Sequence, residues 1–99
     1  MKSIGELLRE QRESKGQLLR EVAAAMNMDT ALLSKIERDD RIPSKEQVIA
    51  FARYYNVKQD DLLVAWLSDK LASKVENEYF ALKAMQVAEE KIKLKRGIK

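Results

Sequence analysis

Apolar residues recur at helical spacing along most of the chain, and this pattern predicts an all-α protein. The first stripe consists of Ile4, Leu7 and Leu8. Ser3 precedes this stripe, and Glu6 stands three residues after Ser3, the spacing of a capping box at a helix start. Only one proline and three glycines are present, which leaves little room for a turn-rich β fold. We therefore expect helices throughout, without a flexible linker or an internal repeat.

Residues 17–38 predict two short helices joined by a tight turn. Val22 marks the inner face of the first helix, and Leu33 and Ile36 mark that of the second. Asn27, between them, tolerates the left-handed conformation that a tight turn needs. Two helices in this order form a helix-turn-helix, a motif whose second helix fits the major groove of DNA.

The second of these helices presents four side chains outward, and we predict that they face the bases. They are Thr30, Ala31, Leu32 and Lys35. Lys35 can donate hydrogen bonds to guanine or to a phosphate, Ala31 and Leu32 can contact thymine methyl groups, and Thr30 can do either. The alternative is an ordinary solvent-exposed helix face, which would be the better interpretation of this helix taken alone. The helix-turn-helix context favours base contact.

Basic and hydroxyl side chains around the motif are candidate phosphate contacts. They are Arg20, Arg38, Arg41, Ser44 and Lys45. Ser44 also forms a capping box with Gln47, so it predicts the start of a further helix whose backbone N–H groups can bind phosphate. The alternative for the basic residues is simple exposure, since about half of such surface cations make no specific contact.

Composition excludes several classes of function. The chain has 99 residues, enough for one domain and an appended helical arm. It has no Cys and no His, which removes disulfides, thiolate zinc sites and the commonest general base. The acidic pairs Asp60–Asp61 and Glu89–Glu90 suit helix ends and solvated faces better than a metal site. We therefore expect neither an enzyme nor a bound metal or cofactor.

No apolar run approaches the roughly 20 residues that a membrane-spanning helix needs. The first residues are amphipathic and carry acids, unlike a signal peptide. The sequence thus predicts a cytoplasmic protein with no membrane contact.

The net charge of +3 is unevenly distributed. Residues 1–58 carry 11 basic and 9 acidic side chains (+2), residues 59–90 carry 3 and 7 (−4), and residues 91–99 carry 5 and none (+5). The acidic middle block argues against contact with a phosphate backbone. The basic tail is interpreted as a solvated end, with DNA or the acidic block of a partner subunit as alternatives.

Residues 15–44 read KGQLLREVAAAMNMDTALLSKIERDDRIPS and resemble the Cro/phage-repressor family of helix-turn-helix proteins, also called the XRE family. The resemblance extends over roughly residues 3–67. It implies a five-helix DNA-binding domain over residues 1–67, whose third helix enters the major groove. It also implies a structural ion pair between Arg12 and Glu37.

The chain departs from the family pattern at two places. Leu18 and Leu19 stand where many relatives carry Thr-Gln, whose Gln contacts DNA, and Asp39 stands where a Gly is usual. The first departure removes a DNA contact, and neither threatens the fold.

Residues 68–99 are predicted to be a helical dimerisation arm, with Asn77 capping its last helix. A long apolar face must be buried, and a second copy of the chain would bury it. The expected interface consists of Trp66, Leu67, Leu71, Val75, Ala81, Met85, Ala88 and Ile92.

The sequence as a whole predicts a transcriptional regulator, a repressor or autoregulator, that binds a palindromic double-stranded operator as a homodimer. The arm resembles extensions of regulators found beside restriction–modification genes. The alternative is an antitoxin-like protein whose arm binds and neutralises a toxin enzyme.

Overall fold

The computed structural model describes residues 1–97, which form six α-helices and contain no strand. The helices are α1 (Ile4–Ser14), α2 (Leu19–Ala25), α3 (Thr30–Glu37), α4 (Lys45–Tyr55), α5 (Gln59–Val75) and α6 (Ala81–Lys95). The predicted all-α class is confirmed. Ile98 and Lys99, the last residues of the predicted arm, lie outside the described residues. No helix within residues 1–97 is both long and apolar enough to cross a bilayer.

Helices α1 to α5 surround one hydrophobic core. Its buried members come from all five helices: Ile4, Leu8, Val22, Ala23, Leu33, Ile36, Val48, Phe51, Ala52, Tyr55, Leu62 and Trp66. The rings of Phe51 and Tyr55 stack in its centre, with their centroids 6.2 Å apart. Close packing of Leu33 and Ile36 with the rest of this core fixes the position of α3 in the domain.

The predicted capping boxes are confirmed. Ser3 Oγ accepts the backbone N–H of Glu6, and Ser44 Oγ accepts that of Gln47, each at 3.1 Å. At the other end of α4, Asn56 adopts a left-handed conformation (φ 55°) and stops the helix. The sequence thus sets where α1 and α4 begin and where α4 ends through short-range contacts.

Helices α1 and α3 approach each other closely at Gly5. A Cβ atom on Gly5 would lie 2.4 Å from the carbonyl oxygen of Ile36, so only glycine fits there. Asp39, which replaces the usual Gly, has a φ of 63° and turns its carboxylate to the start of α1. Its Oδ1 accepts the N–H of Gly5 at 3.2 Å, and its Oδ2 accepts the hydroxyl of Ser3 at 2.7 Å. A side chain at position 39 thereby satisfies donors that begin α1.

Helix α5 continues past the predicted domain limit at residue 67. Beyond that limit, Asp69 Oδ2 accepts the backbone N–H of Ile4 at 2.8 Å. Trp66 was expected in the core or at the inner edge of the dimer interface. Its side chain belongs to the core, only 8% of the residue is exposed, and its Nε1–H donates to the carbonyl oxygen of Pro43 at 2.7 Å. Little of its ring is left for a second copy.

Helix α6 contains no buried residue. It begins at Ala81 with Phe80 at the N-cap, and not behind Asn77 as predicted. The backbone N–H of Glu78 instead closes the end of α5 by donating to the carbonyl oxygen of Val75 at 2.8 Å. Asn77 therefore lies in the turn between the two helices.

Candidate nucleic-acid interface

The turn between α2 and α3 holds the two helices at a fixed angle. Asn27 has a φ of 55°, the left-handed conformation predicted for it. The next residue, Met28, donates its backbone N–H to the carbonyl oxygen of Ala23 at 2.9 Å. Val22 and Ala23 are buried, which allows α3 to cross closely over α2.

Helix α3 has two distinct faces. Its inner face is buried and comprises Leu33, Ile36 and Glu37. Its outer face comprises the four predicted base-contacting residues: Thr30, Ala31 and Lys35 are exposed, and Leu32 is half-buried. The structure therefore brings the four residues together on one accessible surface of α3.

Arg12 and Glu37 form a nearly buried ion pair. The Nε of Arg12 lies 2.9 Å from Oε2 of Glu37, and its Nη2 lies 3.0 Å from Oε1. A third donor of the guanidinium, Nη1, bonds to the carbonyl oxygen of Gln17 at 2.9 Å. The hydrogen bonds to Glu37 raise the pKa of Arg12 above its ordinary value. Arg12 thus ties α1, the loop after it and the end of α3 together.

Beside this pair, the hydroxyl of Tyr55 is buried without a hydrogen-bond partner. Burial raises the pKa of Tyr55 well above its ordinary value, and the charge of Glu37 raises it further. The Oε1 of Gln17 also lacks a partner, whereas its Nε2 donates to the hydroxyl of Tyr54 at 2.7 Å. This cluster lies on the inner side of α3, away from the outer face.

The five candidate phosphate contacts fall into two groups. Arg41, Ser44 and Lys45 line one groove of about 610 Å³ next to Leu32. Arg20 and Arg38 do not line this groove. Arg20 is exposed on α2, and Arg38 pairs with Asp40, whose Oδ2 lies 3.4 Å from its Nε. That pair is exposed, so it neutralises Arg38 only weakly.

Sequence reasoning missed a third basic residue in the same groove, Lys70 of α5. Its Nζ lies over the ring of Trp66, 4.5 Å from the centroid. Trp66 and Lys70 are four residues apart, the spacing at which side chains on one helix meet. That spacing was the available signal.

The predicted interface residues other than Trp66 remain accessible on α5 and α6. Leu67, Leu71, Met85, Ala88 and Ile92 are exposed, and Val75 and Ala81 are half-buried. Leu71 and Met85 line two apolar grooves between the helices, of about 560 and 690 Å³. We call this continuous surface of α5 and α6 the arm face.

The helix-turn-helix domain family matches residues 3–66, which is more than half of the chain. The chain belongs to the XRE-type helix-turn-helix family. This agrees with the resemblance carried by residues 15–44.

A relative within this similarity is the HTH-type transcriptional regulator ImmR of Bacillus subtilis (strain 168), 36% identical over 61 residues. The matched region is 62% of this chain and 48% of the relative, so the chain matches about half the length of that protein.

Proposed function

We propose that this protein is a transcriptional regulator that binds double-stranded DNA through α3. The observation that carries the proposal is the division of α3 into a buried inner face and an accessible outer one. The relative named as a transcriptional regulator supports the same function.

The outer face offers two kinds of base contact. Lys35 is exposed near the end of α3 and can donate to the O6 and N7 acceptors of guanine. Ala31 and Leu32 present methyl groups that can contact thymine. Arg41, Ser44 and Lys45 would hold the phosphate backbone beside them and fix the register of the helix on the duplex.

We further propose that the protein acts as a homodimer formed by the arm face, and that its operator is palindromic. The described part of the chain leaves one apolar surface uncovered, formed by Leu67 and Leu71 of α5 and by Met85, Ala88 and Ile92 of α6. A second copy would cover it through a two-fold interface. The acidic block (−4) and the basic tail (+5) would attract each other in antiparallel arms. Two α3 helices would then contact half-sites about 34–36 Å apart.

A dimer bound over a promoter blocks transcription, so we propose repression or autoregulation in the cytoplasm.

Selection from random duplexes with the full-length protein tests this function. We expect one palindromic sequence, whose genomic position identifies the regulated gene and shows whether restriction–modification genes adjoin it. Lys35→Ala should weaken binding by about 1–3 kcal/mol and relax sequence preference. Lys83→Ala, an exposed lysine of α6 outside the basic tail, is the matched control. Recovery of no preferred sequence would contradict the proposal.

Sedimentation of the intact protein tests the dimer. Met85→Glu places a charge on the arm face and should give a monomer that binds the selected duplex far more weakly. Val87→Glu introduces the same charge on the opposite side of α6 and should leave the dimer intact. If the unmodified protein sediments as a monomer, the arm face is available to a different protein, and the antitoxin-like function becomes the better explanation.

A further inference from the structure

Three basic side chains converge in the groove beside α3, and no carboxylate lines it. Arg41 and Lys45 come from the loop and the start of α4, and Lys70 comes from α5. None of the three forms a salt bridge within residues 1–97. The groove also borders Leu32 of the outer face, so an anion bound there would lie next to the bases that α3 contacts.

Lys70 is held in place by Trp66. The indole ring cannot turn freely, because its Nε1–H donates to the carbonyl oxygen of Pro43 at 2.7 Å. The ammonium group of Lys70 rests over that fixed ring, 4.5 Å from the centroid. A lysine fixed in this way loses less conformational freedom on binding a phosphate than a free surface lysine does.

The neighbouring acid does not neutralise this position. Asp69 precedes Lys70, but its Oδ2 accepts the N–H of Ile4, on α1. The carboxylate of Asp69 therefore does not line the groove, and the positive charge of Lys70 adds to that of Arg41 and Lys45.

We infer that Lys70 is a DNA-backbone contact and that, with Arg41 and Lys45, it binds the phosphates of the strand beside α3. This inference rests on the proposed function. It extends the DNA-binding surface beyond the helix-turn-helix and onto α5. On α5, Lys70 lies next to Leu67 and Leu71 of the arm face. In the proposed dimer, the Lys70 side chain of each copy would therefore contact the part of its half-site that is nearer to the other half-site.

The test is the salt dependence of binding to the duplex recovered by selection. Lys70→Met retains the packing of the side chain on Trp66 and removes the charge. The slope of log affinity against log salt should fall by about 1 per subunit. Lys70→Arg retains charge and stacking and should retain the slope. Lys83→Met, at an exposed lysine of α6, removes the same charge outside the groove and should leave the slope unchanged.

A second measurement locates the contact on the DNA. Single phosphates of the duplex are replaced by neutral methylphosphonates. At one phosphate, the replacement should weaken DNA binding by the unmodified protein. The same replacement should not weaken DNA binding by Lys70→Met any further. An unchanged slope together with an unchanged replacement pattern in Lys70→Met would overturn the inference while leaving DNA binding intact. If the unmodified protein binds no duplex, the proposed function itself fails.

Discussion

Glu37, the last residue of α3, is bound by Arg12 of α1 in a contact that is almost closed to solvent. The side chains are 4% and 14% exposed, respectively, and Nε lies 2.9 Å from Oε2. Because α3 carries the proposed base contacts, this pair connects the stability of the domain to the position of its DNA-binding helix.

Arg12→Met should destabilise the protein by about 3–5 kcal/mol, because the carboxylate of Glu37 would stay buried without a partner. In urea denaturation, the double variant Arg12→Met/Glu37→Met should lose less than the sum of the single losses. Arg9→Ala is the control, since Arg9 pairs with Glu13 at 3.5 Å on an exposed surface and should change stability by less than about 1 kcal/mol. Additive losses, with DNA affinity affected only by Arg12, would point to a phosphate contact.

Gly5→Ala should force α1 away from α3. Its Cβ would meet the carbonyl oxygen of Ile36 at 2.4 Å, and backbone cannot yield as a flexible side chain does. We expect a loss of about 1–3 kcal/mol in the free energy of unfolding, as for other overpacked sites. Gly16→Asn is the control, because Gly16 has open space around it and Asn tolerates its φ of 64°. Equal melting temperatures for the two variants would contradict the close approach.

Tyr55 should make the protein sensitive to alkali. Burial raises its pKa in the folded state, so above pH ~10 the unfolded chain releases this proton and the folded chain keeps it. The unfolded state then binds fewer protons, and the free energy of unfolding falls as the pH rises.

Tyr55→Phe should reduce this alkaline loss, which thermal melts between pH 8 and about 11 would measure. At neutral pH the variant should be within about 1 kcal/mol of the parent or more stable, because the hydroxyl has no hydrogen-bond partner to lose. Tyr79→Phe, at an exposed position, is the control. A loss above about 2 kcal/mol at neutral pH would show that the hydroxyl does have a partner.

We expect Leu32 to contact a thymine methyl group of the operator. Replacing each thymine of the selected duplex by uracil should weaken binding at one or more positions. At the position contacted by Leu32, the replacement should have no effect on Leu32→Ala. Leu94→Ala, an exposed leucine of α6, should respond as the parent does. If no position loses affinity, apolar contact is not part of recognition.

Local features of the fold could be predicted from the sequence, whereas contacts between distant segments could not. The capping boxes at Ser3 and Ser44 and the left-handed turn at Asn27 depend on residues within a few positions of each other, so their spacing is informative. The hydrogen bonds from Ser3 and Gly5 to Asp39 join residues more than 30 positions apart, and no periodicity marks them. The hydrogen bond from Trp66 to Pro43 spans 23 positions and is likewise unmarked by any periodicity.

The candidate site shows the same division. The outer face of α3 follows from the positions of Leu33 and Ile36, because residues on the opposite side of a helix with 3.6 residues per turn point outward. Lys70 joins the groove only through the packing of α5 against the loop before α4, and that packing depends on tertiary structure.

Helix α5 belongs to both parts of the molecule without a joint between them. It has 17 residues, about 25 Å of continuous helix, with its first half in the core and its second half on the arm face. In the proposed dimer, the distance between the two α3 helices depends on the angle around the α5 axis between its core residues and its arm-face residues. No DNA contact sets that distance. One residue inserted between Leu67 and Lys70 would rotate everything after it by about 100°. The spacing between the half-sites of the operator would therefore depend on the length of α5, and it could change while the base contacts of α3 stay the same.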